Sequence, residues 1–331
     1  MSLDIKTSVI EPARQTYGNL ARRYGKDKPA SRYDEVSFDL QSKAHFHYRP
    51  LWRPDYEIYD EALTAIKMAD WDELRDPRQY YYATYNISRA AMIDATMKSL
   101  ELVEDMDLLT QLTPAWREKV IQYLGPMRHY EWGANMNSYQ ISADGYGVAV
   151  TAPSSFVAHD HLGMAQIVTM ILLALDPSEA LIARAKTDWL EAPAWQEIRH
   201  VVEDTFVLTD WFELFVAQHL VMDGVIHPLL FDRFDDAGRA QGGTGISLVT
   251  QFMRDWRADN TRWVDAVIRR AAQESPENAA KLSAWTKAWL ARMAEAAKPL
   301  AVDVLGAEGS DALAKIVVDV KARAGKIGLE V

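Results

Sequence analysis

From about residue 55 to its C-terminus, nearly every segment of this 331-residue chain spaces its apolar residues for helices, and none shows convincing β-alternation. Asp76-Pro77 is expected to open a helix running to about Leu109, with Pro at the first turn. Thr113-Pro114 opens another, with Glu118 early in it. Ser154 or Ser155 is placed to cap a helix through Leu173, ended by Asp176-Pro177. Ser178 starts a short helix broken before Pro193, and Ala194 to about Gly224 reads as one long apolar helix. After a loop at Gly238 and Gln241–Gly245, helices follow over 246–273, 276–304 and 309–324, the second capped by Ser275-Pro276-Glu277. Without strands, such helices can bury their apolar faces only against one another. The expectation is all-α, and long helices with scattered interior polar residues suit a large bundle of the ferritin-like kind.

Residues 1–54 differ. They carry Pro12, Pro29, Pro50 and Pro54, little helical periodicity, and a run of aromatics from His45 to Trp52. Proline disfavours helix in the residue before it, so a non-helical, extended arm is expected over 1–54, ahead of a helical domain over 55–331. Its aromatics are too many for a disordered tail, so the arm packs on its own bundle or on another subunit. His47, Tyr48, Arg49, Pro50 and Trp52 are the candidate interface residues.

Composition excludes several classes. With 36 Lys and Arg against 47 Asp and Glu, the net charge of −11 argues against general nucleic-acid binding and against docking on anionic membranes. The absence of cysteine removes disulfides, thiolate nucleophiles and thiolate-ligated iron–sulfur or zinc sites. Met1 to Lys6 lacks an apolar signal core, and the apolar run near Gly163–Leu175 is short of the ~20 residues that span a bilayer. A soluble cytoplasmic protein is expected. Eleven Trp and fourteen Tyr point to large buried surfaces and a subunit interface.

Glu197-Ile198-Arg199-His200 is the only Glu-x-x-His in the chain. A carboxylate-bridged di-iron site in a helical bundle draws on two such motifs and on a Glu from each of two further helices. Here the pair sits roughly 100° from the apolar stripe of Ile198, Val201, Val202, Thr205, Leu208 and Phe212, so it faces away from the core. His129 lies mid-helix three residues after Pro126, where a metal-binding helix would carry Glu. Glu131, if buried, is expected to hydrogen-bond or to pair with Arg128 or a distant Arg rather than to bind iron. Asp210 and Glu213, in an apolar and aromatic stretch, read as paired charges that fix helix register, with a residual metal or proton site as the competing reading. His45/His47 and His159/His161 each offer two imidazoles with no third ligand in view. Gly243-Thr244-Gly245 lacks the strand and third glycine of a nucleotide fingerprint and reads as a loop and helix start. No catalytic, cofactor-binding or metal residue is therefore assigned.

Several stretches together carry a resemblance: Gln15–Leu20, Lys28–Tyr33, Phe46–Trp52, Asp76–Tyr82, Gly133–Asn137, Asp210–Leu214, Phe252–Trp256 and Thr261–Asp265. Spread in order over essentially the whole chain, they resemble the β subunit of the hydroxylase component of bacterial multicomponent phenol hydroxylases, within the soluble di-iron monooxygenases. The resemblance implies a ferritin-like subunit that lacks the iron ligands. It implies an α subunit holding di-iron and a small γ subunit, together a dimer of trimers. It also implies a reductase carrying FAD and iron–sulfur, fed by NADH, and a small effector protein. No cofactor would belong to this chain. Two other readings stay open: an independent metal-dependent oxidase using Glu131, Glu197, His200 and Glu213, and a helical scaffold unrelated to oxygen chemistry.

Overall fold

The computed structural model describes residues 17–26, 28–43, 49, 51 and 53–331. Among these there is no strand, and we number the longer helices α1 (Tyr82–Asp105), α2 (Met127–Asp144), α3 (Val148–Leu175), α4 (Ala180–Glu191), α5 (Pro193–Thr205), α6 (Trp211–Gln241), α7 (Gln251–Glu274), α8 (Pro276–Ala296), α9 (Lys298–Leu305) and α10 (Gly309–Lys326). The all-α expectation holds. Helices α2 and α3 pack along each other, and α6 runs through the middle against α2, α7 and α8. A core cluster rich in indoles, with Trp195, Trp211, Trp256 and Trp263 almost wholly buried, fills the space between them.

Several boundaries differ from expectation, each for a local reason. Asp76 does not open a helix, because its carboxylate turns back onto the Arg78 backbone N–H at 2.8 Å and Nε at 2.9 Å. Gln79 then takes φ 54°, incompatible with a helix, and α1 starts only after Tyr81. Ser154 is not a cap. Helix α3 begins at Val148, tolerates Pro153 near its start, and uses the Ser154 hydroxyl to donate to the Val150 carbonyl at 2.8 Å. The long helix expected over 194–224 is two: α5 stops at Thr205, and Asp210 caps α6 by accepting from the N–H groups of Phe212 (2.9 Å) and Glu213 (3.1 Å). Thr113 and Ser275 cap as read, each accepting from the N–H three residues on.

Part of the N-terminal stretch expected to be extended holds two short helices, Gly18–Tyr24 and Arg32–Glu35, around a small core of Leu20, Ala30, Tyr33 and Phe38. This unit docks on its own chain through Arg23, ion-paired to Asp70 at 2.8 Å, and through the Tyr33 hydroxyl, which accepts from the Asp76 N–H at 2.8 Å. His45, His47, Tyr48, Pro50 and Trp52 lie outside the described residues. Of the interface candidates, Arg49 alone is described, and its guanidinium bonds the Glu57 carboxylate and the Pro54 carbonyl.

Helices α3 and α6 are, by length and composition, apolar enough to cross a membrane, which corrects the reading that the apolar run is too short. Most of the apolar stretch of α6 is buried inside the fold, as in the central helix of a packed core. It is not a uniform α-helix: Val216–Met222 and Pro228–Arg233 are π-turns. Pro228 lacks an N–H, and the widened turn that follows accommodates it.

Candidate functional site

Five ionisable side chains meet in the bundle core: Glu131 from α2, His161 from α3, and His219, Asp223 and His227 from α6. All five are buried. His161 Nδ1 donates to Glu131 Oε2 at 2.6 Å, and His227 Nε2 donates to Glu131 Oε1 at 2.9 Å. Asp223 Oδ1 accepts from the Tyr130 hydroxyl at 2.9 Å and from Gln218 Nε2 at 2.8 Å. Asp223 Oδ2 lies 3.4 Å from His219 Nδ1 and 3.6 Å from His161 Nε2. Asn137 reinforces this arrangement by donating its Nδ2–H to the side-chain Oε1 of Gln218 at 2.8 Å.

Charged groups in so dry a place must compensate one another. Burial works against the Glu131 carboxylate, yet His227 and His161 outweigh it and hold its pKa below the usual value. Burial likewise opposes ionisation of Asp223, and His161, with the neighbouring imidazoles, brings it well below the carboxylate range. For His161, burial is overcome by the charges of Asp223 and Glu131, so its pKa rises; for His219, burial prevails and the pKa falls.

A second polar layer adjoins the first. Asp160, next to His161 but on another face of α3, accepts from Trp256 Nε1 (2.7 Å), Arg89 Nε (2.8 Å) and the Tyr85 hydroxyl (2.9 Å). Arg89 continues to Asp259 at 3.2 Å, which also accepts from the Tyr80 hydroxyl at 3.0 Å. With these partners Asp160 is committed to holding α1, α3 and α7 together.

The donor set does not fit a carboxylate-bridged di-iron centre. Ala134 stands three residues after Glu131, and Ala158, Val216 and Gly224 stand three residues before His161, His219 and His227. No helix crossing this core offers Glu-x-x-His, and two carboxylates with three imidazoles fall short of four Glu and two His.

The residues singled out in the sequence fall in separate surroundings. Glu197 and His200 are exposed and 3.7 Å apart, facing away from the core as read. Pro126 sits just ahead of α2 rather than inside it, so His129 lies in the first turn, not mid-helix, and packs on Trp189. Burial pushes the His129 imidazole down to about 4. Glu131 does not pair with Arg128, whose Nε donates to the Thr169 hydroxyl at 2.7 Å; its partners are imidazoles. Asp210 caps α6 and also accepts from the Ala65 N–H at 2.7 Å, while Glu213 accepts from Trp289 Nε1 at 3.0 Å. His159 and His161 point apart, as i and i+2 must on a helix: His159 is exposed beside the Tyr139 hydroxyl, and His161 is central. Gly243 and Gly245 belong to a turn and the short helix Thr244–Val249, as read. Sequence reasoning missed His219, Asp223 and His227, although their spacing of four within an apolar run was a visible signal.

Residues 52–275 match the family model for methane, phenol and alkene hydroxylases. The chain is 45% identical to the oxygenase component DmpL of phenol 2-monooxygenase from Pseudomonas sp. (strain CF600), over 100% of this chain and 99% of that one. It is 40% identical to the oxygenase component MhpL of phenol 2-monooxygenase from Acinetobacter pittii (strain PHEA-2), covering 100% and 98%. A crystal structure of phenol hydroxylase from Pseudomonas sp. OX1 superposes with a TM-score of 0.91 at 39% identity, covering 99% of both chains. Toluene 4-monooxygenase shares the fold, with a TM-score of 0.77 at 20% identity over 93% of this chain and 99% of that one. Full-length likeness at this level, on an all-helical fold, makes this chain a member of the methane/phenol/alkene hydroxylase family.

Proposed function

We propose that this chain is the non-catalytic, structural β subunit of a di-iron aromatic monooxygenase hydroxylase of the phenol or toluene type. It supports an iron-bearing α subunit in NADH- and O2-dependent ring hydroxylation. The observation that carries this reading is the core donor set: the carboxylates of Glu131 and Asp223 are held by imidazoles and a tyrosine, with no Glu-x-x-His helix facing them. Relatives named as oxygenase components support membership of such an assembly. So does the exposed apolar row Trp132, Met136 and Tyr139 on α2 with Leu162 on α3, a surface suited to another subunit. In this reading α and γ subunits complete a dimer of trimers in the cytoplasm, and an effector and an FAD and iron–sulfur reductase dock on it.

The test is to express the chain with and without its co-encoded partner subunits, then measure iron and phenol-dependent NADH consumption. The expected result is turnover and iron only when the larger partner is present. Two irons and phenol hydroxylation by this chain alone would overturn the proposal. The independent-oxidase reading loses support from the geometry, since Glu131, Glu197, His200 and Glu213 occupy three different environments.

A further inference from the structure

We propose that His161 Nε2, His219 Nδ1 and Asp223 Oδ2 form a site for one divalent cation of the zinc class, with Glu131 orienting His161 from behind. Three observations carry this. First, spacing: a tetrahedral cation with bonds of about 2.0–2.2 Å places its ligands roughly 3.3–3.6 Å apart. Asp223 Oδ2 lies 3.4 Å from His219 Nδ1 and 3.6 Å from His161 Nε2, and one ligand atom from each of the three residues lies within 4.8 Å of the others. The contacts of Glu131, 2.6 and 2.9 Å, are too close for two ligands of one such ion, so Glu131 accepts hydrogen bonds and does not ligate. Second, His161 Nε2 is fully buried and has no hydrogen-bond partner, although it is turned toward Asp223. With its Nδ1–H given to Glu131, the Nε2 lone pair needs a hydrogen-bond donor or a metal.

Third, two of the three ligands already have the support that metal ligands require. His161 Nδ1–H donates to Glu131, which fixes the tautomer that frees Nε2. Asp223 turns its other oxygen to Tyr130 and Gln218, leaving Oδ2 for the ion. Charge also closes: with neutral imidazoles, a dication cancels the two buried carboxylates. Two imidazoles and one carboxylate leave a fourth position for water. The site differs from a di-iron centre in ligands and nuclearity. It would serve to clamp α3 to α6, a role independent of the subunit function proposed above.

The full-length chain, stripped with a chelator, is titrated with Zn2+ by calorimetry and with Co2+ by visible absorption. One ion per chain is expected, with the intense visible bands of tetrahedral cobalt and a higher thermal midpoint in Zn2+. His161→Gln, His219→Gln and Asp223→Asn should each lower affinity by more than 100-fold, and Glu131→Gln by about 10–100-fold. His200→Ala, at the exposed pair, should leave it unchanged. The thermal shift of the unmodified chain provides a readout even if a variant fails to fold. Absence of saturable binding, or binding lost in His200→Ala but kept in Asp223→Asn, would overturn the site while leaving the subunit function standing.

Discussion

Replacing Glu131 by Gln isolates what the buried carboxylate contributes, because shape is kept and charge is lost. In the native core it accepts two bonds, at 2.6 Å from His161 and 2.9 Å from His227. Bonds to a charged group contribute about 1.5–3 kcal/mol each and neutral ones about 0.5–1.5. Gln keeps one acceptor and presents an amide NH2 to the second imidazole, which switches tautomer to receive it. Two charge-assisted bonds thus become two neutral ones, a loss of about 2–3 kcal/mol. For a chain of 331 residues that corresponds to roughly 3–4 °C in thermal midpoint. Glu131→Leu strands both imidazoles and should cost more, about 3–5 kcal/mol. The control is Glu197→Gln, at the exposed pair 3.7 Å from His200, where a change within ~0.5 kcal/mol is expected. Scanning calorimetry in chelator, on the protein with whatever subunits co-purify, gives all three midpoints. If Glu131→Gln and Glu197→Gln move the midpoint equally, the electrostatic account of the core is wrong.

Gly133→Ala should destabilise by about 1–3 kcal/mol, since the added Cβ would sit 2.5 Å from Val202 Cγ1, and Val202→Ala in the same chain should restore most of the loss in urea titrations. Asp210→Ala removes the α6 cap and the acceptor for Ala65, an expected cost of about 1–2 kcal/mol by chemical denaturation. His129, depressed to about 4 from the ordinary 6.5, binds its proton more readily when unfolded. Its contribution is therefore complete above about pH 6.5 and shrinks as pH falls toward 4. The urea midpoint of His129→Gln should vary less between pH 7 and pH 4.5 than that of the unmodified chain, and an identical slope would refute this.

Helix class, most helix positions and the outward aim of Glu197/His200 were legible because each depends on neighbours within a few residues. Thr113, Asp210 and Ser275 stand next to the N–H groups they cap or support. The polar core was not legible in that way. Glu131 finds its partners 30 and 96 positions away, and nothing local to Glu131 announces an imidazole there. On α3, His161 sits two residues from His159 but on another face, so the doublet, with no third ligand in view, gave no hint that His161 alone turns into the core. Positions 76–81 were misread because the Asp76–Arg78 contact competes with helix initiation at the very residues that propensity favours.

The π-turns of α6 carry an implication for how the sequence tolerates length changes. On a regular α-helix, positions four apart drift by about 40°, so His219, Asp223 and His227 would spread over some 80° of arc. The widened turn at Val216–Met222 absorbs surplus chain just ahead of the α-helical turn Asp223–His227, and in that register His219 and Asp223 gather at His161 while His227 reaches Glu131. Deleting one residue between His219 and His227 would rotate everything downstream by about 100°. His227 would swing away from Glu131, and the buried face of the helix beyond it would turn out of the core. Relatives that share this cluster should therefore keep the count of residues between His219 and His227 unchanged.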